Sequence, residues 1–483
     1  MDEVGGNMIA IRRTKIICTI GPASESPEVI SKLIDAGMNV ARINLSHGTH
    51  EEHINKIKAI RKVAETKNRH IGVMIDTKGP EVRVGKIANG AVTLKRGAKV
   101  IITSEDIEGD STRFQITPKQ VFNDLQKGAY LLIDDGKLKV NVLEKKSDFE
   151  FICQVYNTGV LKTRKGIAIP KVSLSLPFLN DKDKEDLLVG IQNKVDLVAL
   201  SFTRSKEDIL SAKQFLKENG GENIRVIAKL ENQEAIDNLH EIVEVADGVM
   251  VARGDLGVET ETEVVPIYQK KIIQEANRQG RPVIVATHML ESMTTTPRPT
   301  RAEASDVANA VLDGADAIML SGETAAGTYP VLTVKTMDKI ARKAEKILDY
   351  ERILDKATKT SQKTVNDAIG IAVSSASLTL PKAECIIAFT ETGGTARRIA
   401  KFRPNNPIVA ITNSEETANR LSYVWGVYPV VDKITRDVLL NDQTASRIAK
   451  EFGFKIGDNI IITSGLGQVH GRTNTLRIIE IEE

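Results

Sequence analysis

The sequence predicts an α/β protein: a (β/α)8 TIM barrel with an inserted small β-barrel lid domain and a C-terminal α/β domain. Three observations support this. Eight short β-rich runs alternate with helical patterns, one long interruption follows the third run, and the alternation restarts near residue 350. At 483 residues the chain is also too long for one ordinary core and should divide into two to four domains.

The eight runs are nearly continuous apolar segments, as expected of parallel strands covered on both faces. They span Lys15–Ile20, Met38–Asn44, Ile71–Asp76, Val195–Ser201, Ile224–Leu230, Gly248–Ala252, Pro282–Thr287 and Ala315–Leu320. Amphipathic stretches lie between most of them, including Ser26–Ala36, Thr49–Glu65, Lys206–Asn219 and Val265–Gln279. Eight strand–helix units of this kind predict a closed barrel.

The interruption begins after Asp76, which is followed by Gly79 and Pro80. The next barrel-like run does not begin until Val195. The residues between them show alternating strand patterns, LKVNVLE and DFEFICQVYN, and a turn signal at 134–136. We interpret this region as an inserted β domain. At the catalytic end of a barrel such an insertion is well placed to act as a lid.

The last part of the chain predicts a separate domain with a mostly parallel sheet. Its strands are expected at Cys385–Phe389, Ile408–Ile411, Val427–Val431, Asn459–Thr463 and Thr475–Glu480. The predicted division is therefore 1–80 and 177–349 for the barrel, 81–176 for the lid, and 350–483 for a C-terminal regulatory domain.

Composition excludes several classes of function. A formal net charge of +2 and 4% aromatic residues predict neither nucleic-acid nor membrane-surface binding. Cys18, Cys153 and Cys385 are scattered and should be free thiols in a reducing compartment. With no apolar run of membrane-span length and no signal-peptide pattern, we expect a cytoplasmic protein.

Polar residues concentrate where the predicted barrel strands end, which is where barrel active sites form. They are Thr19, Arg42, Asn44, Ser46, His47, Asp76, Thr77, Lys78, Ser201, Lys229, Glu231, Arg253, Asp255, Thr287, Ser321 and Glu323. The set contains cations, carboxylates and hydroxyls without the order of a Ser/His/Asp triad. It predicts a site for an anionic, metal-bound substrate.

Glu231 and Asp255 follow neighbouring strands, and two carboxylates with room for water suit Mg²⁺. Lys229 lies on the same face as Glu231 and would adjoin that metal. The alternative is a structural Lys–Glu ion pair at a strand end.

Two further groups of residues indicate a binding site less strongly when each is considered by itself. The segment from Ala252 to Gly257 predicts a glycine-containing turn that runs into a helix and can bind a carboxylate or phosphate through its N–H groups. Asn44, Ser46, Asp76 and Thr77 offer one carboxylate among neutral oxygens, which suits a monovalent cation. The alternatives are an ordinary turn and ordinary loop hydrogen bonds.

Several motifs resemble those of the pyruvate kinase family, in the family's order, from about residue 12 to the C-terminus. They are ICTIGPAS (17–24), ARINLSHG (41–48), IDTKGPEVR (75–83), AKLEN (228–232), VARGDLGVE (251–259), ATHMLESM (286–293), PTRAEASDVANAVLDGADAIMLSGETAAGTYP (299–330) and TNTLRI (473–478). The resemblance implies phosphoryl transfer from phosphoenolpyruvate to ADP, giving pyruvate and ATP in glycolysis. It also implies Mg²⁺ (or Mn²⁺) and K⁺ as cofactors and a homotetramer.

The resemblance implies a role for each matching position. Arg42 would bind the substrate phosphate, Lys229 would stabilise the phosphoryl group and the enolate, and Thr287 with Ser321 would help deliver the proton. The backbone of Ala252, Arg253, Gly254 and Asp255 would take the carboxylate. Mg²⁺ would be held by Glu231 and Asp255, and K⁺ by Asn44, Ser46, Asp76 and the Thr77 carbonyl. The nucleotide would be contacted by His47, Arg83 and Lys165.

A phosphorylated allosteric effector is a further expectation, at Thr390, Thr392, Gly393, Gly394 and Thr395. This segment follows a predicted strand and opens a predicted helix, and the glycine-rich loop 465–471 could close over it. Gly394 and Thr395 differ from the Arg-Ser of sugar-bisphosphate-responsive members. A sugar monophosphate or nucleoside monophosphate is therefore favoured, and the alternative is a capped helix without a ligand.

Two other functions stay open from the residues alone. A metal-dependent barrel aldolase of phosphoenolpyruvate or pyruvate would also use a Glu/Asp-bound metal, but it would not need the inserted lid. A non-catalytic relative would bind the metabolite without turnover, but it would be expected to lose some of the site residues.

Overall fold

The structure is a computed structural model that describes residues 12–435, 437–465 and 473–482. In these ranges it contains four sheets: a closed parallel barrel of eight strands, a second closed barrel of seven strands, a separate pair of strands, and an open five-stranded sheet. The predicted fold class is confirmed. Over the same residues, none of the helices has the length and apolarity that crossing a bilayer requires.

The large barrel begins with three strands and two helices. They are β1 (Lys15–Thr19), α1 (Pro27–Ala36), β2 (Val40–Asn44), α2 (His50–Thr66) and β3 (Gly72–Asp76). Ser26 caps α1, and Thr49 with Glu52 forms a capping box at the start of α2. These side chains satisfy N–H groups that the first helical turn leaves free.

The second barrel is formed by the insertion. Its elements are β4 (Val82–Val84), a 3₁₀ turn (Ala88–Gly90), β5 (Ala91–Leu94), β6 (Lys99–Thr103), β7 (Arg113–Thr117), α3 (Val121–Asp124), β8 (Tyr130–Ile133), β9 (Leu138–Ser147), β10 (Glu150–Val155), β11 (Gly159–Lys162) and β12 (Gly166–Ala168). The predicted turn joins β8 to β9, with φ of 53° at Asp134 and 56° at Asp135. Seven strands close in the order β10-β6-β7-β4-β12-β8-β9, and β5 pairs with β11 separately.

The chain then returns to the large barrel. The strands are β13 (Leu197–Leu200), β14 (Arg225–Leu230), β15 (Gly248–Ala252), β16 (Val283–Ala286) and β17 (Ala317–Leu320). The helices are α4 (Asp181–Gln192), α5 (Lys206–Glu218), α6 (Gln233–Asp237), α7 (Leu239–Val245), α8 (Arg253–Glu259), α9 (Val265–Gln279), α10 (Arg301–Asp313), α11 (Gly322–Ala325) and α12 (Pro330–Glu345), with 3₁₀ turns at Thr262–Val264 and Glu291–Thr294. Because β17 pairs with β1 in parallel, the barrel closes.

The C-terminal domain contains α13 (Tyr350–Lys359), α14 (Val365–Thr379), β18 (Ala383–Phe389), α15 (Gly394–Ala400), β19 (Ile408–Thr412), α16 (Glu415–Leu421), β20 (Val427–Val431), α17 (Val438–Glu451), β21 (Asn459–Ser464) and β22 (Thr475–Glu480). The strand order is β20-β19-β18-β21-β22, parallel except for β22. This domain docks at the amino-terminal end of the large barrel. There Ile17 and Met74 of the barrel belong to the same buried apolar cluster as Tyr423 and Val427.

Candidate active site

The side chain of Lys229 is the centre of a charged network at the carboxyl end of the large barrel. Its Nζ lies 2.6 Å from Ser201 Oγ, 3.1 Å from Asp76 Oδ1 and 2.9 Å from Glu231 Oε1. All four residues are buried. The ends of β3, β13 and β14 therefore bring Asp76 together with side chains that lie more than 100 positions further along the chain.

The electrostatics of this network are set by competition between burial and neighbouring charge. Burial opposes the ammonium form of Lys229, but Asp76, Glu231 and Asp255 outweigh it and raise its pKa. Burial likewise opposes the Asp76 carboxylate, but Arg42 and Lys229 outweigh it and lower its pKa. Both groups are therefore held in their charged forms although they are buried.

Arg42 is fixed on the neighbouring strand. Its Nε binds Asp76 Oδ2 at 2.7 Å, and its Nη1 donates to Thr19 Oγ1 at 2.9 Å. Arg42 is thus oriented before any substrate arrives, as a preorganised anion site requires.

The residues expected to hold a monovalent cation lie beside it. The register of β2 and β3 pairs Asn44 with Asp76. Asn44 Oδ1 accepts a hydrogen bond from Ser46 N at 3.1 Å, and the Thr77 carbonyl accepts one from Ser201 Oγ at 2.7 Å. The structure thus brings these oxygens onto adjacent strands, and it also pairs Asp76 with two cations.

Glu231 is a stronger candidate ligand for a divalent metal than Asp76, which already pairs with two cationic side chains. Its Oε2 accepts a hydrogen bond from Phe202 N at 2.6 Å, while its Oε1 is buried and, within the described ranges, has the Lys229 ammonium nearby but no well-directed hydrogen bond. Burial raises the Glu231 pKa to about 7, with Asp255 adding to this and Lys229 opposing it.

Two carboxylates that are close enough to interact electrostatically fit a divalent cation that takes its other ligands from substrate and water. The described residues contain no group of three or more His, Cys, Asp or Glu side chains that could hold a metal by themselves. A metal at this position would accordingly depend on oxygen atoms that the protein side chains do not supply.

One local prediction was wrong. The glycine-containing segment is not a turn that precedes a helix, because α8 begins at Arg253, directly after β15, and contains Gly254 and Gly257. Ala252 is its N-cap and makes no side-chain cap hydrogen bond, and Gly254 N donates to Thr287 Oγ1 at 2.8 Å. Of the backbone groups expected to take a carboxylate, this N–H is therefore engaged by a candidate catalytic residue.

Thr287 itself follows β16 in an unusual backbone conformation. Thr287 and His288 have φ of 67° and 51°, a region that costs a non-glycine residue on the order of 1–3 kcal/mol. The Ser321 hydroxyl is buried without a hydrogen-bond partner in the described part of the chain. Such features concentrate at functional sites, where the surrounding structure holds them in place.

The residues expected to contact a nucleotide line a cleft of about 640 Å³ between the two barrels. Arg83 binds Glu81 through Nε at 2.7 Å, and Lys165 binds Asp134 Oδ1 at 2.8 Å. His47 is exposed at the rim. In contrast with the network around Lys229, these groups are accessible to solvent and to a large ligand.

Several residues that attach the lid to the barrel were not expected from the sequence. Arg204 donates to the carbonyls of Leu174 and Leu176, at 2.7 and 3.1 Å. Asp183 accepts from Gly79 N at 3.0 Å, and the Asn180 amide donates to Gly79 O at 3.2 Å. The only signal was the position of Asn180 and Asp183 as a capping pair at a helix start.

The candidate effector segment lies at the end of β18, far along the chain from the barrel site. Gly393 has φ of 82° and precedes α15, which begins at Gly394. Thr390 and Thr395 are buried, and Thr395 Oγ1 lies 3.1 Å from Thr473 Oγ1, whereas Thr392 is exposed. Most of the loop expected to cover the segment, 466–471, lies outside the described residues.

The geometry of this site defines a class of enzyme. A barrel enzyme with a buried lysine, a fixed arginine, paired carboxylates and a lidded cleft is suited to transfer of a charged group between two anionic substrates.

Comparisons with known proteins identify the family. The family model described as pyruvate kinase, barrel domain, matches residues 11–334, and the one described as pyruvate kinase, alpha/beta domain, matches residues 367–479. Proteins named pyruvate kinase from Staphylococcus haemolyticus and Staphylococcus aureus (strain MRSA252) are 48% and 49% identical to this chain. The two alignments cover 97% and 98% of the chain and 80% of each relative.

A solved structure described as a pyruvate kinase from Cryptosporidium parvum has a TM-score of 0.93 and 37% identity, and the match covers 99% of this chain and 98% of that one. The chain belongs to the pyruvate kinase family and is an enzyme of that type, a phosphotransferase. The prediction from the motifs is confirmed, and the family is a metal-dependent one.

Proposed function

We propose that this enzyme transfers the phosphoryl group of phosphoenolpyruvate to ADP at the carboxyl end of the large barrel, giving pyruvate and ATP. The observation that carries the proposal is the buried Lys229 ammonium, which lies between Asp76 and Glu231. Phosphoryl transfer asks a protein mainly to position reactants and neutralise charge, and this network does both.

Each side chain has a part in that reaction. Arg42 binds the phosphate, and Lys229 neutralises the charge of the phosphoryl group and then of the enolate oxygen left behind. The backbone N–H groups of Ala252, Arg253, Gly254 and Asp255 take the substrate carboxylate. Thr287, with Ser321, delivers the proton that converts the enol to pyruvate.

The proposed cofactors are Mg²⁺ (or Mn²⁺) at Glu231 and Asp255, and K⁺ at Asn44, Ser46, Asp76 and the Thr77 carbonyl. When bound, these ions supply positive charge to oxygens that gain negative charge during transfer. The support is the chemistry of the residues: two carboxylates close enough to interact electrostatically at one place, and one carboxylate among neutral oxygens at the other.

The nucleotide would lie in the cleft between the barrels, against His47, Arg83 and Lys165. Binding there would compete with the ion pairs that Arg83 and Lys165 make with Glu81 and Asp134. Lid closure over the nucleotide would exclude water from the transfer. We keep residues 81–176 as the proposed limits of the lid.

A coupled assay of ATP formation from phosphoenolpyruvate and ADP, with Mg²⁺ and K⁺, tests the proposal directly. We expect turnover that depends on both substrates. Carbon–carbon bond formation or cleavage without ATP would support the aldolase alternative, and binding of phosphoenolpyruvate without turnover would support the non-catalytic one.

We also propose a site for a phosphorylated metabolite at Thr390, Thr392, Gly393, Gly394 and Thr395. The support is the turn before α15, with hydroxyl and N–H groups at one place. The test is phosphoenolpyruvate saturation with sugar and nucleoside monophosphates, in wild type and in Thr392→Ala/Thr395→Ala. An effector of typical coupling should shift the midpoint by roughly 5- to 150-fold, in wild type only.

A homotetramer in the cytoplasm completes the proposal. Apolar surface that could be covered by other subunits is present at Ile347, which is 71% exposed, and along the outer strand β22, where Ile478 is exposed. Light scattering at working concentration tests the assembly, and a monomeric mass would contradict it.

A further inference from the structure

The turn after β16 holds its backbone in a conformation that its own residues do not favour. Thr287 is β-branched and has φ of 67°, and His288 follows with φ of 51°. A β-branched residue in this region is a genuine outlier that persists only when the surrounding structure determines it. The contacts of this turn therefore show what keeps it in place.

The Arg253 guanidinium binds successive carbonyls of the turn. It donates to Ala286 O at 3.3 Å, Thr287 O at 2.6 Å and His288 O at 3.4 Å. Its Nη1 binds Asp306 Oδ1 of α10 at 2.7 Å. Because a guanidinium presents five donors in a rigid plane, it can bind several carbonyls and a carboxylate together, which an ammonium cannot do in the same geometry.

The neighbouring backbone holds the side chain of the same threonine. Gly254 N donates to Thr287 Oγ1 at 2.8 Å, and that hydroxyl donates to Ala286 O at 2.7 Å. The first two residues of α8 thus both bind Thr287. The Arg253 guanidinium binds the Thr287 carbonyl, and the Gly254 N–H binds the Thr287 hydroxyl. The hydroxyl is therefore held by the start of α8 and by the last residue of β16 together.

We propose that the Arg253 side chain is a positioning residue for the proton step: bound to Asp306, it holds the turn that aims the Thr287 hydroxyl at the reacting carbon. This inference rests on the proposed function. In that step the methylene carbon of the enolate takes a proton: the π pair of its C=C bond forms the new C–H bond, a lone pair of the enolate oxygen forms the C=O bond, and the O–H bond of the donor breaks. The donor then regains a proton from solvent. The Arg253 side chain acts through Thr287 and does not itself contact the substrate.

The reverse of this step can be measured without phosphoryl transfer. In D₂O, with Mg²⁺ and K⁺, the enzyme should exchange the methyl protons of pyruvate, because a C–H bond breaks to give the enolate and a C–D bond forms on its return. We expect Arg253→Lys to slow this exchange, followed by NMR, by about 10- to 100-fold, the range expected from a small misplacement of a catalytic group. The KM for phosphoenolpyruvate should change less than about threefold.

The decisive measurement is a double-mutant cycle. If Arg253 acts through Thr287, adding Arg253→Lys to Thr287→Ala should change the exchange rate by less than about twofold, whereas independent effects would multiply. The matched control is Arg278→Lys, because Arg278 of α9 binds Glu275 and His240 and, among the described residues, makes no hydrogen bond to the turn. It should exchange at the wild-type rate.

A second variant keeps the inference testable if Arg253→Lys does not fold. Asp306→Asn removes the carboxylate that binds Arg253 but keeps the guanidinium. It should also slow exchange, with no further loss when it is combined with Thr287→Ala. Wild-type exchange in a folded Arg253→Lys enzyme, or losses that multiply with Thr287→Ala, would overturn the inference; if Arg253→Lys does not fold, the same two outcomes in Asp306→Asn decide. Absence of ATP formation by the wild type would instead refute the proposed function.

Discussion

Two lysines are buried at opposite ends of the same barrel, and their pKa values are shifted in opposite directions. Lys229 ends β14 at the catalytic side, where three carboxylates outweigh burial and raise its pKa. Lys15 begins β1 at the side that faces the C-terminal domain, where burial, together with Arg12, lowers its pKa to about 7, against the opposing effect of Glu345. Burial alone therefore does not decide whether a lysine carries charge.

The partners of the two ammonium groups explain the difference. Lys15 Nζ donates to Val427 O at 2.6 Å and lies 4.2 Å from the centre of the Tyr428 ring. In the described part of the chain it makes no ion pair, whereas Lys229 makes two. Neutral partners satisfy a hydrogen bond but compensate little of the cost of burying a charge. At the catalytic end two carboxylates pair directly with the lysine and keep it charged, whereas at the structural end the effect of Glu345 on Lys15 does not outweigh burial.

The largest effect is expected at the catalytic lysine. Lys229→Met should reduce ATP formation by on the order of 10²–10³-fold or more, because it removes a preorganised charge from the transfer site. Lys15→Met is the matched control and should retain turnover. Steady-state assays with circular dichroism check both, and a Lys229→Met enzyme with half the wild-type activity would contradict the assigned role.

The control variant carries its own prediction about stability. Because the folded-state pKa of Lys15 is lowered, its charged form destabilises the fold at and below about pH 7, and this cost disappears as pH rises toward the unfolded-state pKa of 10.5. Lys15→Met should therefore stabilise the protein by on the order of 1–3 kcal/mol near pH 7, with a smaller gain at pH 9 to 10. Thermal unfolding across this range tests it, and a gain that grows with pH would have the wrong sign.

A potassium ion would add positive charge to that of Arg42 and Lys229 at the catalytic end, and it would be supplied from solution. We expect activity several-fold higher in KCl than in NaCl at equal ionic strength, and a weaker response in Glu81→Lys, whose ammonium would supply charge internally. Because Glu81 also binds Arg83, the KM for ADP should be measured in the same variant. Full activity without K⁺, Rb⁺ or NH₄⁺ would refute the K⁺ site.

The smallest effect is expected at a lysine of the lid. Lys165 is 41% exposed and pairs with Asp134, and exposed pairs contribute little to stability. Lys165→Met should raise the KM for ADP by about two- to fivefold and leave kcat and the thermal midpoint almost unchanged, because it removes uniform binding only. A loss of turnover comparable to that of Lys229→Met would contradict the proposed distinction between the buried network around Lys229 and the accessible nucleotide cleft.

Much of the fold could be predicted from local pattern. Each predicted barrel strand overlaps the observed one, as Ile224–Leu230 overlaps β14 (Arg225–Leu230), because strands covered on both faces are continuous apolar runs. The site residues could be located because strand ends in a barrel converge on one face. The limits of the lid at 81–176 and the assigned roles remain predictions.

Local pattern could not determine which of these side chains would pair. Asp76 was grouped with Asn44 as a cation ligand, and the structure also joins it to Arg42 and Lys229. Arg253 was counted among the charged side chains at the strand ends, and the resemblance gave a role only to its backbone; its side chain in fact binds the turn at Thr287.

The sequence by itself determined the elements, their order and the family, since these depend on apolar periodicity and on motifs within short stretches. Tertiary structure alone decided the pKa of each buried lysine and the direction of the Thr287 hydroxyl. The physical reason is that electrostatic energy in a buried site depends on distances of a few ångströms between groups far apart in the chain, and closure of the barrel sets those distances.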